Sequence, residues 1–510
     1  MTTATDIDAH ADSLSPARRW MILAAVVLAC SLYSTALLTT STILPQMQGA
    51  MSATQDEIAW AMTFNILATA VVTPMTGWLT ARFGARTVMV WGMLGFSLAT
   101  LLCGLAQSLE MLVVWRIFQG AVGAPVVPLA QTIALDTFPR HQHPMVLSVF
   151  GIAVGVSPVV GPMLGGWLAE AYGWRWTFYM LVPVGLLAVV ACRVTLLRDT
   201  GVRKIQLDWT GFLALSAAMA AVQLVLARGV RLDWFQSTEI VIECVVAVLA
   251  FYIFVAHCLT AKAPFLNLRL LRDRNYALGL GLVTIYGMLN FTPMVLLPPL
   301  LQQHAGFPDS LVGLVIGSRG MGMMFGFLVA GVLGRLDPRG GMTIGFLLQV
   351  GSGLWMLRYD LNVGMDILVA NSLIQGFAVG IIWVPLSVVT FSTLAPEHRA
   401  EAAAVLHLLR NVGSSFFISL SIAEIVHATG ANYSRMTEMI SRYNGTLSLP
   451  GNIGSWDFDT TTGLAKVARE ITRQAAMIGY LNAFLMYTIA SALAVGLVLL
   501  VRRGGTAARP

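Results

Sequence analysis

Long apolar stretches recur along the chain and constrain its fold more than any other feature. Segments such as WMILAAVVLACSLYSTALL, EIVIECVVAVLAFYIFVAHCL and AFLMYTIASALAVGLVLLV each approach the roughly 20 residues that cross a bilayer as a helix. Charged residues make up only 11% of the sequence, whereas a soluble domain carries about 25%. The sequence therefore predicts an all-α polytopic protein of the lipid bilayer.

Hydropathy predicts fourteen transmembrane helices, at 20–44, 58–79, 87–106, 111–135, 145–168, 176–197, 209–227, 239–258, 276–301, 310–333, 342–358, 366–391, 402–426 and 479–501. The predicted organisation is an N-terminal tail (1–19), a six-helix bundle (20–200), an extra helix pair with its loops (201–275), a second six-helix bundle (276–501) and a C-terminal tail (502–510). The polar segment 427–478 is predicted to be a long periplasmic loop that acts as a lid, a docking surface or a tolerated insertion.

Basic residues concentrate in alternate connections between the predicted spans. These connections hold 19 of the 31 lysines and arginines, whereas the opposite short loops hold only Arg175, Arg228, Arg231 and Arg358. The positive-inside rule then places both termini in the cytoplasm, and we expect a multi-pass protein of the inner membrane. The net charge of +6 is explained by this asymmetry, so no nucleic-acid partner is predicted.

Motifs of ATP-driven transporters and of enzymes are absent from the sequence. None of the three lysines follows a glycine, as a phosphate-binding loop would require, and no H-E-x-x-H, C-x-x-C or G-x-S-x-G occurs. The five cysteines lie in apolar stretches without paired spacing, as expected of small packing residues. The sequence therefore predicts a protein that is not an enzyme and has no cofactor or metal site.

Two sequence patterns recur at one offset of about 254 to 257 residues. GWLTARFGAR (77–86) is repeated as GVLGRLDPRG (331–340), and FQGAVGAPVVPL (118–129) is repeated as IQGFAVGIIWVPL (374–386). Both matches keep the same order and the same position relative to the spans. Such parallel repeats predict a binding site between two bundles near the bilayer midplane, with rocking of the bundles changing its access.

The segment VGVSPVVGPMLGGWL (154–168) is unusually rich in glycine and proline for a membrane helix. Glycine lets a neighbouring helix approach closely, and proline leaves carbonyl groups that protein or a cavity must satisfy. One interpretation is a general packing face of small residues. The density of these residues favours a tight, bent helix at a moving interface.

This segment resembles the antiporter motif of the major facilitator superfamily, and further segments resemble its EmrB-type branch of fourteen-span drug:proton antiporters. The resemblance is carried in the fifth span by Gly155, Pro158, Gly161, Pro162, Gly165 and Gly166, in the loop motif by Gly77, Leu79, Arg82, Gly84 and Arg86, and in the fourth span by Arg116, Gln119, Gly120 and Gly123. It implies proton-driven export with gating at the loop motif. In Gram-negative members it also implies a periplasmic membrane-fusion adaptor and a TolC-type outer-membrane channel.

Three arginines lie inside predicted spans, where a charge is costly and marks a site by default. Arg116, with Gln119, is expected to organise the first bundle, either as a site or by bonding carbonyls of the first span. Arg319 and Arg410 are expected to attract the substrate, although Arg410 also has the reach to extend to the cytoplasmic surface. The other predicted cavity groups are Asn65, Gln131, Asn371 and Gln375.

The proton carrier expected from the family resemblance is missing from this chain. Relatives have an aspartate in the first span, where this sequence has Ala36, and the acid of their loop motif is replaced by Ala81. His407, three residues before Arg410 on the same helix face, is one replacement, because histidine titrates near neutral pH. The alternative is a packed polar histidine close to the cytoplasm.

The three intramembrane arginines and the absence of a central acid predict an electropositive cavity. The resemblance implies export of small amphipathic toxic compounds in exchange for protons, and the charge balance adds a preference for weak acids or organic anions. Two alternatives remain at this stage. One is an exporter of a single endogenous metabolite, and the other is a sensor that keeps the transporter scaffold without transporting.

Overall fold

The computed structural model describes residues 14–53, 55–199, 206–261, 264–333, 338–394, 398–440 and 460–501. Most of the predicted N-terminal tail and the whole C-terminal tail (502–510) lie outside this range. All regular structure within it is helical. The α-helices are α1 (Pro16–Ala50), α2 (Gln55–Val72), α3 (Thr76–Phe83), α4 (Ala85–Leu105), α5 (Leu109–Gly123), α6 (Val126–Thr137), α7 (His143–Tyr172), α8 (Arg175–Tyr179), α9 (Leu181–Thr195), α10 (Trp209–Arg228), α11 (Thr238–Thr260), α12 (Arg274–Pro299), α13 (Asp309–Leu333), α14 (Pro338–Met356), α15 (Met365–Phe391), α16 (Arg399–Met439) and α17 (Thr461–Leu500).

Eleven helical stretches of the described chain are long and apolar enough to cross a membrane. The predicted spans 58–79, 145–168 and 342–358 are not among these eleven, but they coincide with α2–α3, α7 and α14. A short 3₁₀ turn at Thr73–Met75 separates α2 from α3. The multi-pass helical fold is therefore confirmed, and the count of fourteen crossings stays a prediction.

A glutamine–glycine pair occupies corresponding positions in the two halves of the chain. In the first half, Gly120 of α5 packs against the backbone carbonyl of Asn65 in α2. In the second half, Gly376 of α15 packs against the carbonyl of Arg319 in α13. Neither position has room for a Cβ atom, so both helix pairs depend on glycine for their close approach. The repeated motif thus has a repeated packing role.

The glycine- and proline-rich segment lies in α7, which runs without interruption from His143 to Tyr172. Gly155 packs against Met323 and Phe327 of α13, which belongs to the other half. Gly161 and Gly165 instead face α1 of the same half, at Thr35 and Thr39. The helix is therefore held between the two halves.

The three remaining residues of this motif, Pro158, Pro162 and Gly166, lie on the same helix. Gly166 is half-buried in α7. The side chains of Pro158 and Pro162 are not among those described.

The polar segment 427–478 differs from the predicted loop. Residues 427–439 continue α16, and residues 461–478 form the first part of α17. Asn432 and Thr429 donate to carbonyls one turn earlier in their own helix, at 2.8 and 2.6 Å, so these polar groups are satisfied without breaking it. Val467 and Ile471 form a buried stripe at four-residue spacing. Residues 441–459 of the predicted loop lie outside the described residues.

The extra helix pair is fastened at one end by the carboxylate of Asp208. This side chain accepts hydrogen bonds from Gly211 N at 3.1 Å, from Phe265 N at 3.0 Å and from His257 Nε2 at 2.9 Å. Burial opposes the charge, but the three hydrogen bonds outweigh it and hold the pKa of the carboxyl group below its usual value. One side chain thus joins the start of α10 to α11 and to the segment that leads into α12.

The glycine contact predicts a matched pair of stability effects. Gly376→Ala should destabilise the protein by about 1–3 kcal/mol, because the new methyl group would overlap the Arg319 carbonyl. Gly351→Ala, at a helix position with open space, should be neutral or stabilising by up to about 1 kcal/mol. The apparent melting temperature of the detergent-purified variants measures both. Equal effects of the two substitutions would contradict the packing account.

Candidate functional site

A cavity of about 140 Å³ lies between the two halves of the protein. Its first-half lining includes Tyr33, Thr69, Thr73, Pro128 and Gly155, and its second-half lining includes Tyr286, Asn290, Phe291, Met294, Met323, Phe327, Trp383, His407, Arg410 and Asn411. Aromatic and methionine side chains recur in this lining. Among the described lining residues, Arg410 is the permanent cation and no carboxylate occurs. Such a lining suits a small amphipathic molecule with an acidic group.

Trp383 of α15 contacts three other side chains that line this cavity. The Arg410 Cζ atom lies 5.5 Å from the Trp383 ring centroid, a cation–π arrangement. The His407 ring lies 5.8 Å from the same tryptophan and the Tyr286 ring 5.2 Å from it, centroid to centroid. Arg410 and His407, which come from one face of α16, are therefore held against the same indole.

Arg410 is the least satisfied of the three intramembrane arginines. Its Nη2 donates to Asn411 Oδ1 at a long 3.5 Å, and its Nε has no hydrogen-bond partner among the described residues. A guanidinium carries five donors in a planar fork that matches a carboxylate. Arg410 therefore makes fewer hydrogen bonds than Arg116 or Arg319, and its side chain lines the cavity.

His407 connects the cavity to the contact between the halves. Its Nε2 lies 2.6 Å from Gln131 Oε1 of α6. The amide nitrogen of Gln131 in turn donates to Ser387 Oγ of α15 at 3.5 Å, which leaves the amide oxygen to face the histidine. The imidazole Nε2 therefore carries the hydrogen, and this hydrogen bond crosses from the second half to the first.

One end of the assembly is closed by further contacts between the halves. Arg399 at the start of α16 pairs with Asp136 at the end of α6, at 2.7 Å. A Cβ on Gly77 would lie 3.1 Å from Glu401 Cβ, and one on Gly331 would lie 2.6 Å from Ser148 Oγ. We call this region, with Gly77, Asp136, Ser148, Gly331 and Arg399, the closed end. It is the end that the arginine distribution predicts to be cytoplasmic.

Arg116, Gln119 and Asn65 form one buried network in the first half. Arg116 Nη1 donates to Gln119 Oε1 at 2.6 Å, and its Nε donates to the carbonyl of Ala61 in α2 at 3.1 Å. Asn65 Nδ2 donates to the Arg116 carbonyl at 2.7 Å, and Gln119 Nε2 donates to Thr100 Oγ1 at 2.7 Å. The arginine thus joins α5 to α2, and none of the three predicted residues lines the cavity.

Arg319 and Gln375 form the corresponding network in the second half. Arg319 Nη1 donates to Gln375 Oε1 at 2.6 Å, and Nη2 donates to the Asn290 carbonyl at 2.7 Å. Arg319 is 1% exposed and does not line the cavity, which differs from the expected substrate contact. Asn371 also lies away from the cavity, where its Nδ2 donates to Tyr359 OH at 2.7 Å.

The loop motif forms the turn between α3 and α4. Gly84 has φ +89°, a conformation that favours glycine, and the carboxylate of Asp199 fills the space beside it. Asp199 accepts from Arg86 N at 2.9 Å and from Thr87 Oγ1 at 2.7 Å. Arg86 Nη2 donates to the Arg193 carbonyl at 2.5 Å, and Arg82 lies half-buried in the last turn of α3.

The structure thus separates the predicted site residues. His407 and Arg410 line the cavity, and Gln131 is bonded to His407. Arg116, Gln119, Asn65, Arg319 and Gln375 lie in the two buried networks, and Asn371 is buried apart from them beside Tyr359. Sequence analysis missed Trp383 and Tyr286 as cavity residues and Arg399 as the partner of Asp136. The repeat could have indicated Trp383 as a cavity residue, because Trp383 lies in the repeated segment, eight residues after Gln375.

Comparison with known proteins agrees with this architecture. The profile of the Major Facilitator Superfamily matches residues 21–418. The multidrug export protein EmrB of Escherichia coli (strain K12) is 30% identical over 451 residues, 87% of each chain. The fatty acid resistance protein FarB of Neisseria gonorrhoeae is 28% identical over 450 residues, 87% of this chain and 88% of that protein.

Solved transporters share the fold at low identity. The proton:xylose symporter XylE superposes with a TM-score of 0.62 and 11% identity, over 94% of this chain and 95% of that chain. The human organic anion transporter MFSD10 superposes with a TM-score of 0.57 and 14% identity, over 94% of this chain and 100% of that chain. At these identities the likeness shows the fold alone.

The two arginine environments predict different effects of the same substitution. Arg319→Gln should lower the apparent melting temperature strongly, because Gln375 Oε1 and the Asn290 carbonyl would lose their buried donor at about 1–3 kcal/mol each. Arg410→Gln should lower it much less, since its one described hydrogen bond is long. Thermal unfolding in detergent compares the two. A larger loss in Arg410→Gln would contradict the division into network and cavity arginines.

Proposed function

We propose that this chain, which belongs to the major facilitator superfamily, is a proton-driven secondary transporter that exports small amphipathic toxic compounds by alternating access. The cavity between the two halves carries this proposal, because both halves line it and a rocking motion would change its access. The relatives of this chain include multidrug export proteins. An apolar lining that contains methionine would adapt to different substrates in the same way.

The charges around the cavity favour weak acids and organic anions as substrates. Arg410 lines the cavity, its one described hydrogen bond is long, and no carboxylate among the described lining residues opposes an anion there. Arg116 and Arg319 add positive charge nearby, although Gln119 and Gln375 engage their Nη1 donors inside the bundles. The name of FarB, a fatty acid resistance protein 28% identical to this chain, agrees with this substrate class.

The contacts at the closed end support an alternating-access cycle. If this end faces the cytoplasm, as the arginine distribution predicts, the structure corresponds to a state closed towards the cytoplasm. Opening would break the Arg399–Asp136 pair and the His407–Gln131 hydrogen bond. The contact of Gly155 with Met323 and Phe327 would then be a surface on which the halves move.

The acid that relatives carry in the first span is absent from this chain, so proton coupling requires another group. Ala36, which stands at that position, is a buried alanine. His407 is the titratable side chain that both lines the cavity and bonds across the halves. We therefore assign the proton to His407.

The EmrB-type relatives and the arginine distribution support a proposed location and proposed partners. The protein would lie in the inner membrane with both termini in the cytoplasm, and residues 427–439 and 461–478 would project as helices into the periplasm. We propose that they meet a periplasmic membrane-fusion adaptor that continues to a TolC-type outer-membrane channel. A neighbouring gene for a single-span adaptor would support this assembly, and its absence would count against it.

Reconstitution tests the transport proposal. Purified protein in liposomes that contain a pH-sensitive dye should show proton movement when decanesulfonate is added under an imposed proton gradient. Arg410→Gln should weaken the response about ten- to a hundredfold, since one charge-assisted hydrogen bond of about 1.5–3 kcal/mol is lost. Decyltrimethylammonium, the matched cation, should give a weaker response than the anion.

The competitor profile and the controls separate the alternatives. Broad competition by organic acids indicates multidrug export, and competition by one compound indicates a dedicated metabolite exporter. Binding without any proton or substrate movement would overturn the transport proposal in favour of a sensor. A response to the cation alone would overturn the substrate class.

A further inference from the structure

Asn290 of α12 brings an unpaired polar group to the cavity between the halves. The residue lines the cavity and is 9% exposed, and its Oδ1 has no hydrogen-bond partner among the described residues. A buried acceptor that is left without a donor is costly, and most buried polar groups in proteins have a partner. A bound molecule with a donor would supply the partner that the protein does not.

The buried network of the second half holds the backbone that carries this side chain. Arg319 Nη2 donates to the Asn290 carbonyl at 2.7 Å and lies 3.5 Å from the Leu289 carbonyl. Pro293 stands four residues after Leu289 and has no N–H to donate to that carbonyl, so the guanidinium lies where the helix lacks a donor. Arg319 does not line the cavity, but it positions a residue that does, and these two contacts leave the side-chain amide of Asn290 unused.

The helix face of Asn290 leads to Arg410 through two aromatic side chains. Tyr286, Asn290 and Met294 follow one another at four-residue spacing on α12, and all three line the cavity. The Tyr286 ring lies 5.2 Å from the Trp383 ring, and the Arg410 Cζ atom lies 5.5 Å from the same ring. Asn290 lies one helical turn, about 6 Å, beyond Tyr286. The cation and the amide therefore occupy separate points of one cavity, with aromatic surface between them.

The two polar groups would bind different parts of one ligand. A guanidinium pairs with an anionic group, whereas a carboxamide oxygen accepts a hydrogen bond from a hydroxyl or N–H group. Aromatic residues of the lining such as Tyr286 and Phe291 suit a flat ring between these groups. An aromatic acid with a donor across the ring from the acid meets all three conditions.

We propose that Asn290 is a specificity-determining residue, whose amide oxygen accepts a hydrogen bond from a hydroxyl or N–H group of an organic anion that pairs with Arg410. An apolar group of equal size in that place would leave the buried amide oxygen without a donor, so such a ligand is disfavoured. This inference rests on the proposed export of organic anions and adds a second point of recognition. No proton changes place in this contact, so it does not depend on how transport is coupled.

Two aromatic sulfonates of equal charge and similar size test the proposal on the full chain in lipid nanodiscs. 4-Hydroxybenzenesulfonate carries a hydroxyl donor where 4-methylbenzenesulfonate carries a methyl group. At pH 7, where a phenol is neutral, calorimetry should show that the wild-type protein binds the hydroxy ligand about two- to tenfold more tightly. Asn290→Leu replaces the amide by an apolar group of similar shape. It should reverse this preference, because the buried hydroxyl then has no acceptor.

Two further variants serve as controls. Thr292 lies on the same helix, donates to the Met288 carbonyl at 2.6 Å and is not among the described lining residues. Thr292→Val should therefore keep the preference for the hydroxy ligand. Arg410→Gln should weaken the binding of both sulfonates by a similar factor and leave their ratio unchanged, because it acts on the group that they share.

Three results would overturn the proposal. Wild-type protein that binds the methyl ligand as tightly as the hydroxy ligand would do so while the export of organic anions stands, and this result needs no variant that folds. A hydroxyl preference that persists in a folded Asn290→Leu variant would place the acceptor elsewhere. Failure of both sulfonates to bind, together with binding of decyltrimethylammonium, would remove the proposed substrate class and this inference with it.

Discussion

The burial of an arginine beside a glutamine in each half is the interaction on which the rest of the structure depends. A guanidinium inside a membrane bundle is costly, and Gln119 and Gln375 provide acceptors for Arg116 and Arg319. In each half the glycine that follows the glutamine lets the neighbouring helix backbone approach. Arg116 lies on the same helix as Gln119, whereas Arg319 and Gln375 lie on different helices. The repeat therefore preserves the arginine–glutamine pair but not the helix that carries the arginine.

Arg410 differs from Arg116 and Arg319, which are hydrogen-bonded inside the bundles. Arg410 lies in a cavity lined by both halves, and its one described hydrogen bond is long. His407, one turn earlier, reaches the other half through Gln131. The ligand site and the contact between the halves are therefore connected by a single imidazole ring. The closed end, with its Arg399–Asp136 pair, lies beyond that ring and completes the separation of the cavity from one side of the membrane.

The sequence predicted the features that depend on local periodicity and composition. The helical membrane fold, the repeat, and the placement of His407 and Arg410 on one helix face all follow from spacing along the chain. It did not predict contacts that depend on the arrangement of distant helices. Arg319 meets Gln375 and Arg399 meets Asp136 across helices that hydropathy cannot place relative to each other. The helical parts of the predicted loop, 427–439 and 461–478, were not predicted because their composition is polar, whereas side chains such as Asn432 bond back to their own helix.

Energised accumulation in everted membrane vesicles is the measurement that tests the account most directly. The account predicts that vesicles containing this protein concentrate labelled decanesulfonate above its equilibrium level, and that a protonophore abolishes the accumulation. Vesicles with the Arg410→Gln variant at equal abundance should lose most of it. Equal accumulation in vesicles without the protein, or accumulation of decyltrimethylammonium with indifference to the sulfonate, would contradict an anion exporter built around Arg410.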